Sequence, residues 1–76
     1  MRLNAAKAIV HALGLSLNRT TAGDLRLAFR PLPGQSWKDT EPSAYYTQDL
    51  SDAVQTAQAM HAIALVHGRG GKPNPT

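Results

Sequence analysis

Residues that could catalyse a reaction or hold a metal are few in this sequence. No two of its three histidines, His11, His61 and His67, stand four residues apart, the spacing that places two ligands on one helix face. The sequence has no cysteine, no glycine-rich phosphate loop and no carboxylate pair beside a base, and Asp49 and Asp52 are explained as caps of a helix. We therefore predict that the protein is not an enzyme and has no catalytic residue, metal site, cofactor or small-molecule substrate.

His61 is the polar exception on the predicted buried face of a long helix. One interpretation, which we favour, is a partly buried histidine whose ring bonds to a tyrosine hydroxyl or a backbone carbonyl. The other is a pH-sensitive or metal contact, for which the sequence offers no second ligand.

Basic and aromatic residues are predicted to share the outer face of a β-sheet. The run LRLAFR, residues 25–30, alternates so that its apolar residues face the core and both arginines face solvent. Tyr45 and Tyr46 follow each other on a later strand, so one should enter the core and the other should face outward, and either could be the outward one. Such a face can bind the phosphates of double-stranded DNA, although solvated sheets commonly carry arginines without a ligand. The candidate DNA-binding residues are Arg26, Arg30, Lys38 and Tyr45.

The predicted long helix is apolar almost all round in its C-terminal half. Opposite its core face lies a second apolar group, which indicates burial against a second copy of the chain or another protein. The alternative is that Ile63 and Val66 contact the first helix or the loop around Trp37 within the same chain. The candidate interface residues are Ala59, Ala62, Ile63, Val66 and Trp37.

Hydrophobic periodicity predicts an α+β fold in the order α-β-β-β-α. The three strands should form an antiparallel meander, with the long C-terminal helix packed on one face and a short N-terminal helix beside it. The predicted elements are a helix from Asn4, as its cap, to Leu13, strands at 15–19, 25–30 and 44–47, and a helix that begins after its cap Asp49 and ends before Gly68. The stretch from Pro31 to Pro42 has the composition of a loop. Residues 1–67 are predicted to form one domain and residues 68–76 a mobile tail.

The predicted helical core residues share the spacing of a buried stripe. They are Ala6, Ile9, Val10 and Leu13 in the first helix and Leu50, Ala53, Val54, Ala57, Met60, His61, Ala64 and Leu65 in the second.

Charge is distributed unevenly along the chain, whose net charge is +3. The sequence up to Lys38 contains several basic residues but a single acidic residue, Asp24. The stretch from Asp39 to Asp52 contains four acidic residues and no basic one. The molecule should therefore be electrically two-sided. No segment approaches the ~20 apolar residues that span a bilayer, and the absence of cysteine fits a reducing cytoplasm, where we expect the protein.

Two resemblances to known domains rest on this pattern. The α-β-β-β-α order resembles a double-stranded-RNA-binding domain, but the second helix opens with Gln48, Asp49 and Asp52 in place of phosphate-binding lysines, so we reject that function. Residues 23–60 resemble the arm-type DNA-binding domain of phage integrases in the strands LRLAFR and AYYT and in the Asp-capped, alanine-rich helix. This resemblance implies a sheet that enters the DNA major groove; the proline-rich insertion from Pro31 to Pro42 departs from it.

The run AYYTQDLSDAVQTAQAM is also similar to small uncharacterised proteins of proteobacteria, often associated with mobile or accessory DNA. That similarity implies no activity. We therefore predict a small cytoplasmic interaction protein that binds itself or another protein, with a DNA-binding accessory role as the alternative.

Overall fold

The computed structural model describes residues 2–67 and confirms the α+β class with the order α-β-β-β-α. The predicted tail, residues 68–76, lies outside the described residues. The elements are α1 (Leu3–Ala12), β1 (Leu15–Arg19), β2 (Leu25–Phe29), a 3-10 helix (Trp37–Ser43), β3 (Tyr45–Thr47) and α2 (Leu50–His67).

The three strands form an antiparallel sheet in the order β1-β2-β3, so β2 is central and β1 and β3 are the edges. Leu27 in the middle of β2 stands opposite Leu17 on one side and Tyr45 on the other. The alternation in β1 and β2 turns one set of leucines toward the helices, as the period-2 pattern predicts.

The core lies between this face of the sheet and the two helices. Each strand of the β1–β2 hairpin contributes large apolar side chains, while the helices contribute small ones that let them approach closely. The buried cluster consists of Ala6, Val10, Leu15, Leu17, Leu25, Leu27, Phe29, Ala53, Val54 and Ala57.

Four predicted core residues are only partly buried and pack against this cluster: Leu13, Leu50, Met60 and Ala64. Two others, Ile9 and Leu65, are exposed. Ile9 is partly exposed because α1 presents Ala6 and Val10, one turn apart, to the core. Leu65 is 75% exposed because α2 is longer than the sheet it covers. The five residues of β1 span ~17 Å and the 18 residues of α2 span ~27 Å.

The helix ends agree only in part with the predicted caps. Asp49 caps α2, since its carboxylate accepts the backbone N–H of Ser51 at 2.8 Å, which confirms that prediction. Asn4 is not the cap of α1, because the helix begins one residue earlier, at Leu3, after Arg2. Gly14 ends the α1 region with φ +85°, a left-handed conformation that turns the chain into β1.

The stretch predicted as a loop contains the 3-10 helix. The N–H of Ser36 donates to the Asp39 carboxylate at 2.8 Å, and the N–H of Asp39 donates back to the Ser36 carbonyl at 3.0 Å. The helix packs on β2, and its Thr40 is buried there. Ala28, which alternates onto the outer face of the sheet, is also fully buried. Part of the outer sheet face is therefore covered by the chain's own 3-10 helix.

Candidate functional surfaces

Arg26 anchors the 3-10 helix to the outer face of the sheet. Its Nε and Nη2 atoms lie 3.1 and 3.0 Å from Oε2 of Glu41, and Nη2 also donates to Oγ1 of Thr40 at 3.3 Å and to the Trp37 carbonyl at 3.4 Å. The Arg26 side chain is 15% exposed and that of Glu41 is 42% exposed. The prediction that Arg26 faces open solvent is wrong, because a segment more than ten residues away folds over it.

Tyr46 completes this group on the outer face, where it stands opposite Arg26 across the strands. Its hydroxyl donates to Oε1 of Glu41, so both carboxylate oxygens are engaged. The Tyr46 hydroxyl, and after it the Arg26 guanidinium, lower the pKa of Glu41 below its ordinary value, while the carboxylate raises the pKa of Tyr46. We call these residues the Arg26 cluster: Arg26, Trp37, Thr40, Glu41 and Tyr46.

Tyr45 lies on the other face of the sheet, toward α2. Its hydroxyl donates to the Asp52 carboxylate at 2.7 Å, and this bond raises the pKa of Tyr45 and lowers that of Asp52. Tyr46 therefore lies on the outer face of the sheet, whereas the candidate DNA-binding residues included Tyr45. Neither tyrosine enters the core, since Tyr45 is 38% and Tyr46 is 46% exposed, so the expectation of one buried tyrosine is wrong. Strand β3 is too short and too near the sheet edge to bury either ring.

The basic candidates separate into two places. Lys38 joins Arg26, since both lie beside the Trp37 ring, with Lys38 Nζ 5.9 Å and Arg26 Cζ 5.7 Å from its centroid. Arg30 lies beyond the end of β2, where its Nη1 atom is 3.0 Å from Nε2 of His11 on α1. The structure therefore does not gather the predicted DNA-binding residues into one basic surface.

The apolar group on α2 is exposed. Ala59, Ala62, Ile63 and Val66 point away from the core residues of the same helix, and we call these four residues the helix patch. Val66 is 76% exposed, whereas Ile63 is 39% exposed and therefore partly covered, and the 3-10 helix does not contact α2. Trp37 itself is exposed on the opposite face of the sheet, where the 3-10 helix contacts β2 and not α2. The candidate interface thus consists of two separate surfaces.

An open groove lies on the other side of the end of α2. It has a volume of about 490 Å³ and runs between α2 and the residues that follow β2. Exposed Leu65 and Leu32 are among its lining residues, together with His61. His61 is held at the wall by its Nδ1 atom, 3.2 Å from the Leu13 carbonyl, which confirms the interpretation of a partly buried histidine bonded to a backbone carbonyl.

Among residues 2–67 no group of three or more histidine, aspartate or glutamate side chains is arranged to hold a metal ion. No helix in the same part of the chain is long and apolar enough to cross a membrane. The chain matches no protein-family model, and no curated protein and no solved structure is significantly similar to it.

Proposed function

We propose that the protein acts by protein–protein contact through the helix patch, and that its partner is a second copy of the chain. The observation that supports this most directly is the exposure of Ile63 and Val66 on a helix face that also carries Ala59 and Ala62. Aliphatic side chains that adjoin one another on a surface are typical of an interaction site.

The charge of α2 favours a second copy as the partner. From Ala53 to His67 the sequence contains no aspartate, glutamate, lysine or arginine. Two such helices can pack across a twofold axis without bringing like charges together, although each chain carries a net charge of +3. The alanines at 59 and 62 let the two backbones approach closely, while Ile63 and Val66 supply the buried area.

The size of the exposed area indicates a weak dimer. Complete burial of an isoleucine or valine side chain stabilises by about 1.5–3 kcal/mol, and here only the exposed fractions remain to be buried. Both copies together gain roughly 5 kcal/mol from Ile63 and Val66, and the loss of rotational and translational freedom offsets much of it. Even without that offset, roughly 5 kcal/mol corresponds to a dissociation constant of ~0.2 mM, so we expect a value of ~0.2 mM or weaker. We place this dimer in the cytoplasm because the sequence has no cysteine.

Sedimentation equilibrium from ~10 µM to ~1 mM protein, with ¹⁵N relaxation at the upper end, tests the proposal. Ile63→Glu should abolish the dimer, because twofold symmetry places two new carboxylates in one interface. Ser51→Glu adds the same charge to the same helix three turns away and should leave dimerisation unchanged. Glutamate is a better helix former than isoleucine, so the variant should keep its helical circular dichroism. A wild-type protein that is monomeric at every concentration refutes the proposal.

DNA binding is the alternative prediction, and the geometry gives it less support. The Arg26 guanidinium is held by a carboxylate that adds negative charge to the outer sheet face. Arg30 lies four residues further along the strand, ~13 Å away. A duplex would have to displace Glu41 before Arg26 could contact a phosphate.

A further inference from the structure

A small cavity lies where α1 passes the free edge of β1. Its volume is about 220 Å³, and it is open to solvent. Lys7 and His11 contribute from one face of α1, Ser16 and Asn18 from β1, and Arg30 from the end of β2. The side chains of the remaining lining residues, Leu15 and Leu17, are buried in the core.

We propose that this cavity binds a phosphate group. Three of its side chains are basic, and none of the described residues that line it is acidic. The chain's acids up to Lys38 consist of Asp24 alone, and the Asp24 carboxylate accepts a hydrogen bond from Gln48 at the opposite end of the hairpin. A concave site lined by one sign of charge concentrates counter-ions, and the counter-ion here is an anion.

Arg30 and His11 contact each other where both line the cavity. Guanidinium nitrogens only donate hydrogen bonds, so in this contact at 3.0 Å the Nε2 atom of His11 is the acceptor. Two basic side chains are thus held side by side, and an oxyanion in the cavity would contact both of them.

The arrangement of donors favours a phosphate group over a carboxylate. Lys7 and His11 are four residues apart on α1 and reach the cavity from the helix side, while Arg30 reaches it from the sheet. The Asn18 amide supplies a neutral donor from β1, whereas the Ser16 hydroxyl donates to the Ala28 carbonyl at 3.5 Å. Donors that come from several directions match the oxygens of a tetrahedral ion, whereas a planar carboxylate offers only two.

The site is separate from the proposed dimer. The helix patch lies on the face of α2 turned away from the core, and none of its four residues lines the cavity. A protein that does not dimerise can therefore still be tested for phosphate binding, and a protein that does not bind phosphate can still be tested for dimerisation.

Amide NMR of the ¹⁵N-labelled protein, titrated with inorganic phosphate at constant ionic strength, tests this site. We expect saturable shifts at Lys7, His11, Ser16 and Asn18 with a dissociation constant of ~1 mM or below. Lys7→Gln and Arg30→Gln should each weaken binding by at least about five-fold, since each removes a charged donor. Arg19→Gln is the matched control, because it removes the same charge from an exposed position on β1 outside the lining.

Three results would overturn the proposal. One is a set of shifts that never saturates. Another is equal weakening by Arg19→Gln and Arg30→Gln, which would mean diffuse attraction to a basic protein. The third is acetate binding as tightly as phosphate at the same ionic strength. A parallel titration with phenyl phosphate separates the two sources of the group: tighter binding than inorganic phosphate indicates a phosphomonoester, and weaker binding indicates the free ion. Dispersed spectra of both glutamine variants ensure that lost binding is not lost folding.

Discussion

Replacement of Arg26 by alanine should undock the 3-10 helix from the sheet. The substitution removes the ion pair with Glu41 and the bonds to the Thr40 hydroxyl and the Trp37 carbonyl. It also removes the guanidinium that lies beside the Trp37 ring. No other described ion pair between side chains holds this segment.

The expected loss of stability lies between the values for exposed and buried pairs. Exposed ion pairs contribute about 0–1 kcal/mol, and hydrogen bonds to charged groups contribute about 1.5–3 kcal/mol. Arg26 is 15% exposed, but Glu41 retains access to water, which limits the penalty of leaving it unpaired. We therefore expect Arg26→Ala to lower the free energy of unfolding by about 1–2 kcal/mol, or Tm by roughly 5–15 °C for a domain of this size.

Two assays separate local undocking from global destabilisation. Thermal unfolding followed by circular dichroism gives Tm, and fluorescence of Trp37, the single tryptophan of the chain, reports on the 3-10 helix. The Arg26 variant should show altered tryptophan emission well below its Tm. Arg19→Ala is the control, because exposed Arg19 makes one described hydrogen bond, to the Gly23 carbonyl, and should change stability by less than about 0.5 kcal/mol. Equal Tm values and unchanged emission for the two variants would refute the role assigned to Arg26.

Two further predictions concern acid pH and the turn after α1. Because Tyr46 and Arg26 lower the pKa of Glu41, the ionised carboxylate stabilises docking above its unfolded-state pKa, and this contribution is lost as the pH falls through the lowered folded-state pKa. Trp37 emission of the wild type should therefore change as the pH falls, whereas the Glu41→Gln variant should show the emission of the undocked 3-10 helix already at neutral pH. The same change in acid in both proteins would contradict the role assigned to Glu41. Gly14→Ala should lower the free energy of unfolding by roughly 1–2 kcal/mol through its backbone alone, since φ is +85° and an added Cβ meets no atom within 4 Å. Chemical denaturation should show a smaller loss for Gly14→Asn, because asparagine tolerates this conformation, and equal losses would contradict the reasoning.

The elements that the sequence predicts well are those whose periodicity is long enough to be read locally. The alternation of Leu25 to Phe29 places β2 and its buried face correctly, and the Asp49 cap places the start of α2. The 3-10 helix was missed because it is short, contains Pro42 and has no apolar period. Its one local signal is the pair Ser36 and Asp39, three residues apart, which is a form of capping box.

The outer sheet face shows why the candidate sites were harder to predict than the fold. Alternation determines on which side of β2 Arg26 lies, but not what covers that side. The partner, Glu41, is 15 residues away in sequence and reaches Arg26 only because the 3-10 helix folds back over the strand. The choice between Tyr45 and Tyr46 likewise depended on a tertiary contact, the bond of Tyr45 to Asp52.

The mismatch in length between α2 and the sheet links the fold to the proposed function. A helix that ended with the strands would bury its apolar residues against them, and its remaining surface would need charge for solubility. Here α2 is about 10 Å longer than β1, and its C-terminal end carries Ile63, Leu65 and Val66 without a single charged neighbour on the helix. A core this small leaves little free energy to offset exposed apolar area, so a second copy of α2 would stabilise the fold as well as cover the patch. If that is correct, Ile63→Glu should not only abolish the dimer but also remove the dependence of Tm on protein concentration that we expect for the wild type. A wild-type Tm that does not change with protein concentration would show that the exposed end of α2 has no role in self-association.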